Sequence, residues 1–564
     1  MKSKVVLALS VAFLSLVWLV YALSSAPATG EFVPTLLSDK NQTVPGGISN
    51  IHSIATQDTV HLIWAETTTT TYPYDSDLFY RRLPTGNTID LSQTALTNGK
   101  LGPALIQPTT GNDVCVLWRE IGPDDAYHLY LWRSASNKTA VSPGTVNQGY
   151  FDYLFELPAF YCDNAGDARV SWIDPVDNQV FYWDVEANSQ MQISASDGNL
   201  ANFLKQINFD NVSYLFWTKG QNGAANAFYM WDSITENVQQ ITSGSFSNPE
   251  IYVDKNDTIH LIWKFSPPMG ATCYRHWDSL YKVESAIEPC DVDLIATKDG
   301  VGNLHSVWAG GYLSSNTIHY WNVTENITDS ISLSGGVDRL QIIGGPNDTV
   351  HLIWQNPYNG DLYYSNSDLL TEQFITEASY YILQDNTVWD IDSSGNIHFI
   401  WADAKDGSES RHVFYWTPNQ TEPVTLTLST LPFPTVDIHI DNQDTVHALA
   451  YSQSSLYYWN DQIDHMQTIV GNVKEYLLTS DADGEALAFY QTYLDEFNYW
   501  SSVTENVEQL GYSDEFYDIH DASDSLYLYW VESPLYSSEE DMYVVSKEIR
   551  SSDYAIYLPI IINP

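Results

Sequence analysis

The sequence predicts an all-β protein, a β-propeller of about eleven four-stranded repeats. Three observations carry that expectation: one short run of residues recurs along the chain, its period is that of a propeller blade, and the segments between recurrences have strand length with no helical period. The clearest copy is Val253 to Trp263 (VDKNDTIHLIW). Near repeats stand at Gln57 to Trp64 (QDTVHLIW) and Asn347 to Trp354 (NDTVHLIW), with relatives at Ser394 to Trp401 (SGNIHFIW) and Gly302 to Trp308 (GNLHSVW). Aligned on the strand-end residue, the repeats fall at Trp64, Trp118, Trp172, Trp217, Trp263, Trp308, Trp354, Trp401, Ala450, Phe489 and Trp530, spaced 39 to 54 residues apart.

Taken in order, the chain opens with Met1-Lys2-Ser3-Lys4 and an apolar run from Val5 to Leu23, which predicts an export signal or an uncleaved N-terminal anchor over residues 1–29. Glu31 to Gly47 then reads like the last strand and connecting loop of a repeat, with Thr35-Leu36-Leu37-Ser38 beside Gln240-Ile241-Thr242-Ser243. Such a segment would complete a blade begun by the C-terminal end and close a ring. Within each period four strands are expected, and the fifth repeat sets the pattern: Glu250 to Asp254, Thr258 to Trp263, Cys273 to Trp277 and Tyr281 to Ser285. The second strand is apolar on both faces, so it must be covered on both sides, as a strand between neighbouring blades is. The third is aromatic, as in Phe181-Tyr182-Trp183 and Phe414-Tyr415-Trp416, a composition that strands select. Eleven blades exceed the usual 4 to 8 of one ring. The expected organisation is therefore two tandem propellers, residues 30–290 with repeats 1–5 and 291–564 with repeats 6–11, or one unusually large ring. The closing run Tyr554 to Ile562 is too short to span a membrane and suits an edge strand.

Acidic residues outnumber basic ones 71 to 23, a formal charge of −48. Such a surface repels phosphate backbones, which excludes nucleic acid as a partner and leaves the membrane only through the N-terminal segment. At 44% hydrophobic and 14% aromatic residues, the chain has ample apolar surface to bury. The four cysteines suit an extracytoplasmic, oxidising setting, and the expected disulfides are Cys115 with Cys162 and Cys273 with Cys290. No CxxC pair is present, which argues against a zinc or redox motif.

The repeated Asp-x-x-(Gly/Asp)-x-(Val/Ile)-His-(Leu/Phe)-Ile-Trp run resembles the repeats of secreted bacterial β-propellers, loosely grouped with sialidase-like propellers, over almost the whole chain after Gly30. The resemblance implies fold far more than activity. The glycosidase-associated Ser-x-Asp-x-Gly-x-Thr-Trp box is absent, and Asp392 to His398 only echoes it. Phe79 to Pro84 (FYRRLP), with Arg81, is similar to the arginine motif near the start of sialidases, yet it stands where every repeat places its third strand.

Among candidate functional residues, the histidine three before the Trp recurs as His61, His260, His305, His351, His398 and His447, alongside Trp64, Trp263, Trp354 and Trp401. One imidazole per blade at equal radius is spread around a ring, so a structural ladder bonded to the turn Asp is expected instead of a metal centre. Turn acids such as Asp254 and Asp257, Asp441 and Asp444, and Asp481 and Asp483 raise calcium as the one cofactor to consider. These turns are too short to wrap that ion, and no cofactor is expected. The loops after the Trp vary in length and, with the blade-joining loops, occupy one face of a propeller. Glu66, Glu120, Asp174, Asp403 and Glu532 stand two residues after the Trp position, and Tyr312 and Tyr358 lie in those loops. They are the candidate ligand-binding residues, for an extracellular glycan or protein or, in the rival reading, for sialidase-like glycoside hydrolysis or polysaccharide cleavage. A structural envelope role is the third reading.

Overall fold

The computed structural model describes residues 35–36 and 48–548, apart from segments in the connections between strands, the longest of which are 68–75, 93–103, 145–158, 310–315, 379–386 and 533–540. The export segment, the C-terminal run, Tyr312, Asp481 and Asp483 lie outside the described residues. Among the described residues there is no helix. Every strand belongs to one of eleven antiparallel sheets, ten with four strands and one, the eighth, with a fifth short strand. The protein is a β-propeller, and the sheets are its blades.

Blades 1 to 10 span 48–90, 105–141, 159–192, 200–243, 246–287, 293–332, 338–376, 387–425, 435–471 and 473–512. Blade 11 pairs Glu515–Ala522, Ser525–Glu532 and Asp541–Glu548 with the N-terminal Thr35–Leu36, in the register Thr35↔Val544 and Leu36↔Tyr543. The expected clasp is therefore present: the two ends of the chain share one sheet. The first strand of blade 11 also lies beside the first strand of blade 1, Ile48–Ala55.

The reason for the repeat is visible in the second strands. In Ile259–Phe265 the residues Ile259, Leu261 and Trp263 face one way and His260 and Ile262 the other, and all five are buried. A strand apolar on both faces needs a sheet on each side, and the clusters supply it. Each straddles two consecutive blades: Ile63, Tyr80, Val116 and Trp132 join blades 1 and 2, and Phe216, Met230, Leu261 and Trp277 join blades 4 and 5. Ile353, Tyr364, Phe399 and Trp416 do the same for blades 7 and 8. At the expected division near residue 290, Ile262 and Ile287 share a cluster with Leu304 and Trp308, and the Lys255 amide donates to the Gly302 carbonyl at 2.8 Å.

The strands of the fifth repeat are Phe246–Val253, Ile259–Phe265, Cys273–Asp278 and Glu284–Ile287, so the fourth begins three residues later than expected. Leu280 to Lys282 form the turn instead. The Tyr281 amide donates to Asp278 Oδ1, the Lys282 amide to the Asp278 carbonyl, and Lys282 takes φ 55°. An Asp that can hold its own turn outcompetes the strand propensity of Tyr281.

Both expected disulfides are present. Cys115–Cys162 links the second strand of blade 2 to the first of blade 3 across 47 residues, and Cys273–Cys290 closes the loop after blade 5 across 17. Because a cross-link restricts the unfolded chain, replacing Cys115 and Cys162 with Ser is expected to lower stability by about 2–4 kcal/mol. Urea unfolding of the wild type with and without reductant, beside the double variant, checks it. Equal midpoints would rule the cross-link out as a source of stability.

Candidate functional site

The most regular polar structure is a ladder that runs from blade to blade through the histidine position. In blades 5, 6, 8 and 9 an Asp opens the turn before the second strand. One oxygen of its carboxylate accepts two turn amides; at Asp441 these are Gln443 and Thr445, both at 2.8 Å. The other oxygen faces the histidine: His260 Nε2 is 3.1 Å from Asp254, His305 2.9 Å from Asp299, His398 3.3 Å from Asp392 and His447 3.1 Å from Asp441. Burial works to raise these four carboxyls, but the hydrogen bonds from the imidazole and the turn amides outweigh it and hold them below the ordinary range. On its far side the imidazole Nδ1 meets a third-strand hydroxyl, Tyr320 at 2.7 Å, Tyr415 at 2.7 Å or Tyr458 at 2.8 Å. In blade 5 the partner is His276, at 3.0 Å.

Blades 1 and 7 depart from the pattern. His61 bonds Thr56 and Thr59 in place of an Asp, and Gly345 stands where blade 7 would carry one, although His61 and His351 keep Tyr80 and Tyr364. The ladder then crosses to the next blade. Tyr80 packs on Trp132, Tyr364 on Trp416, Tyr415 on Trp459 and Tyr458 on Trp500, with ring centroids 4.5 to 5.3 Å apart. The Trp at the other end of the second strand stacks on its cross-strand neighbour, as in Trp64 on Phe79 and Trp401 on Phe414. Both sets of repeat residues pack within and between the blades.

Among the candidate ligand-binding acids after the Trp, three are buried. Glu120, Asp174 and Asp403 are no more than 4% exposed. Glu120 and Asp403 belong to second strands that run on past the Trp, Val114–Ile121 and Ile397–Asp403. The cause is the two-residue period of a strand: Glu120 lies on the same face as Trp118 and inherits its burial, and Trp118 Nε1 donates to Glu120 Oε2 at 3.0 Å. Asp174 follows its strand, and its amide donates to the Gln179 carbonyl at 2.8 Å. Glu66 and Glu532 also close second strands, opposite Asp77 and Asp541, and their side chains lie outside the description. Arg81 sits within the third strand of blade 1, Ser76–Leu83, paired with Leu62.

What the loop face does present is aromatic. Tyr358 stands exposed on the Asn356–Gly360 turn of blade 7, its amide bonded to Asn356 Oδ1. A larger patch lies at the same end of blades 8 to 10. Leu428 is 78% exposed, Phe433 61%, Leu494 65% and Tyr493 56%. The backbone beneath them is tied from blade to blade. The extra strand Leu431–Pro432 pairs with Ser410 and Arg411, and Ser452 Oγ donates to the Pro432 carbonyl at 2.5 Å. The blade 9 hairpin turns on Gln453 and Ser454, both with positive φ, the geometry of a tight two-residue turn. The Val473 amide donates to Ser454 and the Tyr493 amide to Asn472. The Tyr451 hydroxyl donates to the Val473 carbonyl at 3.1 Å. Exposed apolar residues at the other end of the sheets, Ile234, Leu280, Leu369 and Val503, occur on separate third-to-fourth strand turns.

No family model matches the chain, and no curated relative matches it. Among solved structures it is similar to the tricorn protease at 10% identity and a TM-score of 0.29, covering 87% of this chain and 58% of that one. It is similar to the Dos1 propeller at 10% identity and a TM-score of 0.31, covering 63% and 93%, and to the dihydro-heme d1 dehydrogenase NirN at 12% and 0.32, covering 65% and 78%. The chain thus spans less than two thirds of the tricorn protease. Overlaps this loose carry no argument about activity.

Phe433 and Tyr493 were not among the residues the sequence singled out. The signal for Phe433 is its setting, Leu431-Pro432-Phe433-Pro434: two prolines stiffen a blade connection and leave the aromatic between them at φ 43°. Tyr493 offers less, an aromatic directly after a buried Gln491-Thr492 end of strand.

Proposed function

We propose that this propeller is an extracytoplasmic recognition module that binds a glycan through the loop face of blades 8 to 10. The observation that carries the reading is the linked patch of Leu428, Phe433, Tyr493 and Leu494, exposed on backbone that hydrogen bonds hold from blade to blade. Aromatic faces on a rigid support stack on sugar rings with little ordering cost, and an uncharged patch on a protein of charge −48 favours a neutral partner. The two disulfides and the apolar N-terminal segment support a location outside the cytoplasm. The shared cluster and hydrogen bond across residue 290 favour one continuous ring over two.

The test is a glycan array probed with the purified protein and with a Phe433→Ala/Tyr493→Ala double variant, with substrate cleavage assayed in parallel. The expected result is saturable binding without turnover that falls at least about tenfold in the variant while its melting temperature is kept. Undiminished binding by the variant would remove the patch from the reading, and turnover of any glycan would replace it with the hydrolase or lyase alternative.

A further inference from the structure

The turns of blades 6 and 7 approach more closely than a packing contact requires. The Gly300 amide donates to the Gly345 carbonyl at 2.7 Å, and a Cβ on Gly300 would lie 2.6 Å from Pro346 Cα. This approach carries Asp348, on the blade 7 turn at φ 54°, onto the ladder of blade 6. Four side chains meet there. Asn303 Nδ2 lies 2.8 Å from Asp299 Oδ2 and 2.6 Å from Asp348 Oδ1, and His305 Nε2 lies 2.9 Å from the first carboxylate and 3.9 Å from the second. Asp299, His305 and Asp348 have ligand atoms all within 4.8 Å of one another.

Blade 8 shows what such a contact looks like as plain structure. It has the same Asp392, Asn396 and His398, but the incoming acid from the next blade, Asp444, bonds the amide and hydroxyl of Ser393 at 2.8 and 2.7 Å. In blade 6 the position of Ser393 is Gly300, which has no hydroxyl, and its amide is already given to Gly345. Asp348 instead converges with Asp299 on one amide. The nearby ammonium of Lys255 is 2.8 Å from Glu325.

A second observation comes from Asn303 itself. It is fully buried, its amide end stands between the two carboxylates, and its Oδ1 has no hydrogen-bond partner. Amide oxygen and nitrogen exchange places by a half turn of the side chain. Turned, Asn303 aims that oxygen at both carboxylates, an arrangement that a cation between them makes favourable, as would a proton on one of the two. His305 is equally adaptable. The Tyr320 hydroxyl against its Nδ1 both donates and accepts, so the ring proton can sit on Nδ1 and leave the Nε2 lone pair for a metal.

We propose that Asp299, Asn303, His305 and Asp348 form a site for a divalent transition-metal ion that fastens the turn of blade 7 to that of blade 6. Three oxygens and one imidazole nitrogen suit Mn²⁺ or Zn²⁺ better than Ca²⁺, which takes oxygen ligands alone. A single turn is too short to wrap an ion; two turns from adjacent blades supply the donors together.

The experiment titrates Mn²⁺ into the EDTA-stripped full chain, following bound ion by electron paramagnetic resonance and calorimetry, with Zn²⁺ as competitor. The expected result is one saturable site per chain, displaced by Zn²⁺. Asp348→Asn, which alters an exposed side chain, weakens binding at least about tenfold with an unchanged melting temperature in EDTA. Asp444→Asn removes the same charge from the equivalent turn of blade 9 and leaves binding as in the wild type. Absence of a saturable site up to millimolar Mn²⁺ overturns the proposal, as does an equal effect of the two variants.

Discussion

Replacing Asp441 with Ala is expected to lower the free energy of unfolding by about 3–5 kcal/mol. The carboxylate is buried and serves three donors at once: the amides of Gln443 and Thr445 and Nε2 of His447. Removing it leaves a buried imidazole and two part-buried turn amides without their acceptor, so the cost exceeds the net worth of one hydrogen bond. Asp441→Asn keeps an acceptor for part of the set and should lose roughly half as much. The carboxylate also orients His447 toward Tyr458, whose ring packs on Trp500 of the next blade, so hydrogen exchange should accelerate in blades 9 and 10 before the rest of the ring. Urea unfolding at neutral pH followed by tryptophan fluorescence measures the total. A loss under about 1 kcal/mol would mean the turn is held by its backbone and not by the carboxylate.

The parts of the molecule legible in the sequence are those whose residues repeat. His260 and Trp263 recur because each second strand meets the same two neighbours, so their period gives both the strand and its burial. The clasp was readable because Thr35-Leu36 needs only to resemble a fourth strand to pair as one. The burial of the acids follows from the same regularity. Glu120 and Asp403 stand two residues after a Trp, and the strand period places them on the face of Trp118 and Trp401. The loop face was the least legible. Phe433 and Tyr493 are held on backbone tied to neighbouring blades, by Ser452 to Pro432 and Tyr493 to Asn472, through bonds that have no counterpart in the repeat and no fixed spacing. The meeting of Asp348 with Asn303 is hidden in the same way, since 45 residues separate them and a glycine decides how closely the two turns approach.

Acidification from pH 7 to pH 5 is expected to cost on the order of 2 kcal/mol for each of four buried histidines, several kcal/mol in all. Burial is the first cause in every case, pushing His61, His351 and His439 from 6.5 down to about 4 and His276 to about 3. Arg82 adds to the effect at His61, His260 at His276 and His447 at His439. Between pH 6.5 and these lowered values the unfolded chain binds protons that the folded chain refuses. Stability is therefore complete above about 6.5 and falls as the pH drops toward 4. Below that, the depressed carboxyls of Asp254, Asp299, Asp392 and Asp441 take up protons in turn and the loss steepens. His276 gives the discriminating variant. It occupies the ladder position held by Tyr320, Tyr415 and Tyr458 in other blades, bonds His260 in their manner, and meets Trp321 with centroids 4.9 Å apart, as Tyr415 and Tyr458 meet their own Trp. His276→Tyr should therefore fold, keep the contact to His260, and remove one proton from the linkage. Urea midpoints at pH 7, 6 and 5 should fall steeply in the wild type and less steeply in the variant. A flat wild-type profile, or equal slopes in the two proteins, would show that these imidazoles are not what makes the ring sensitive to acid.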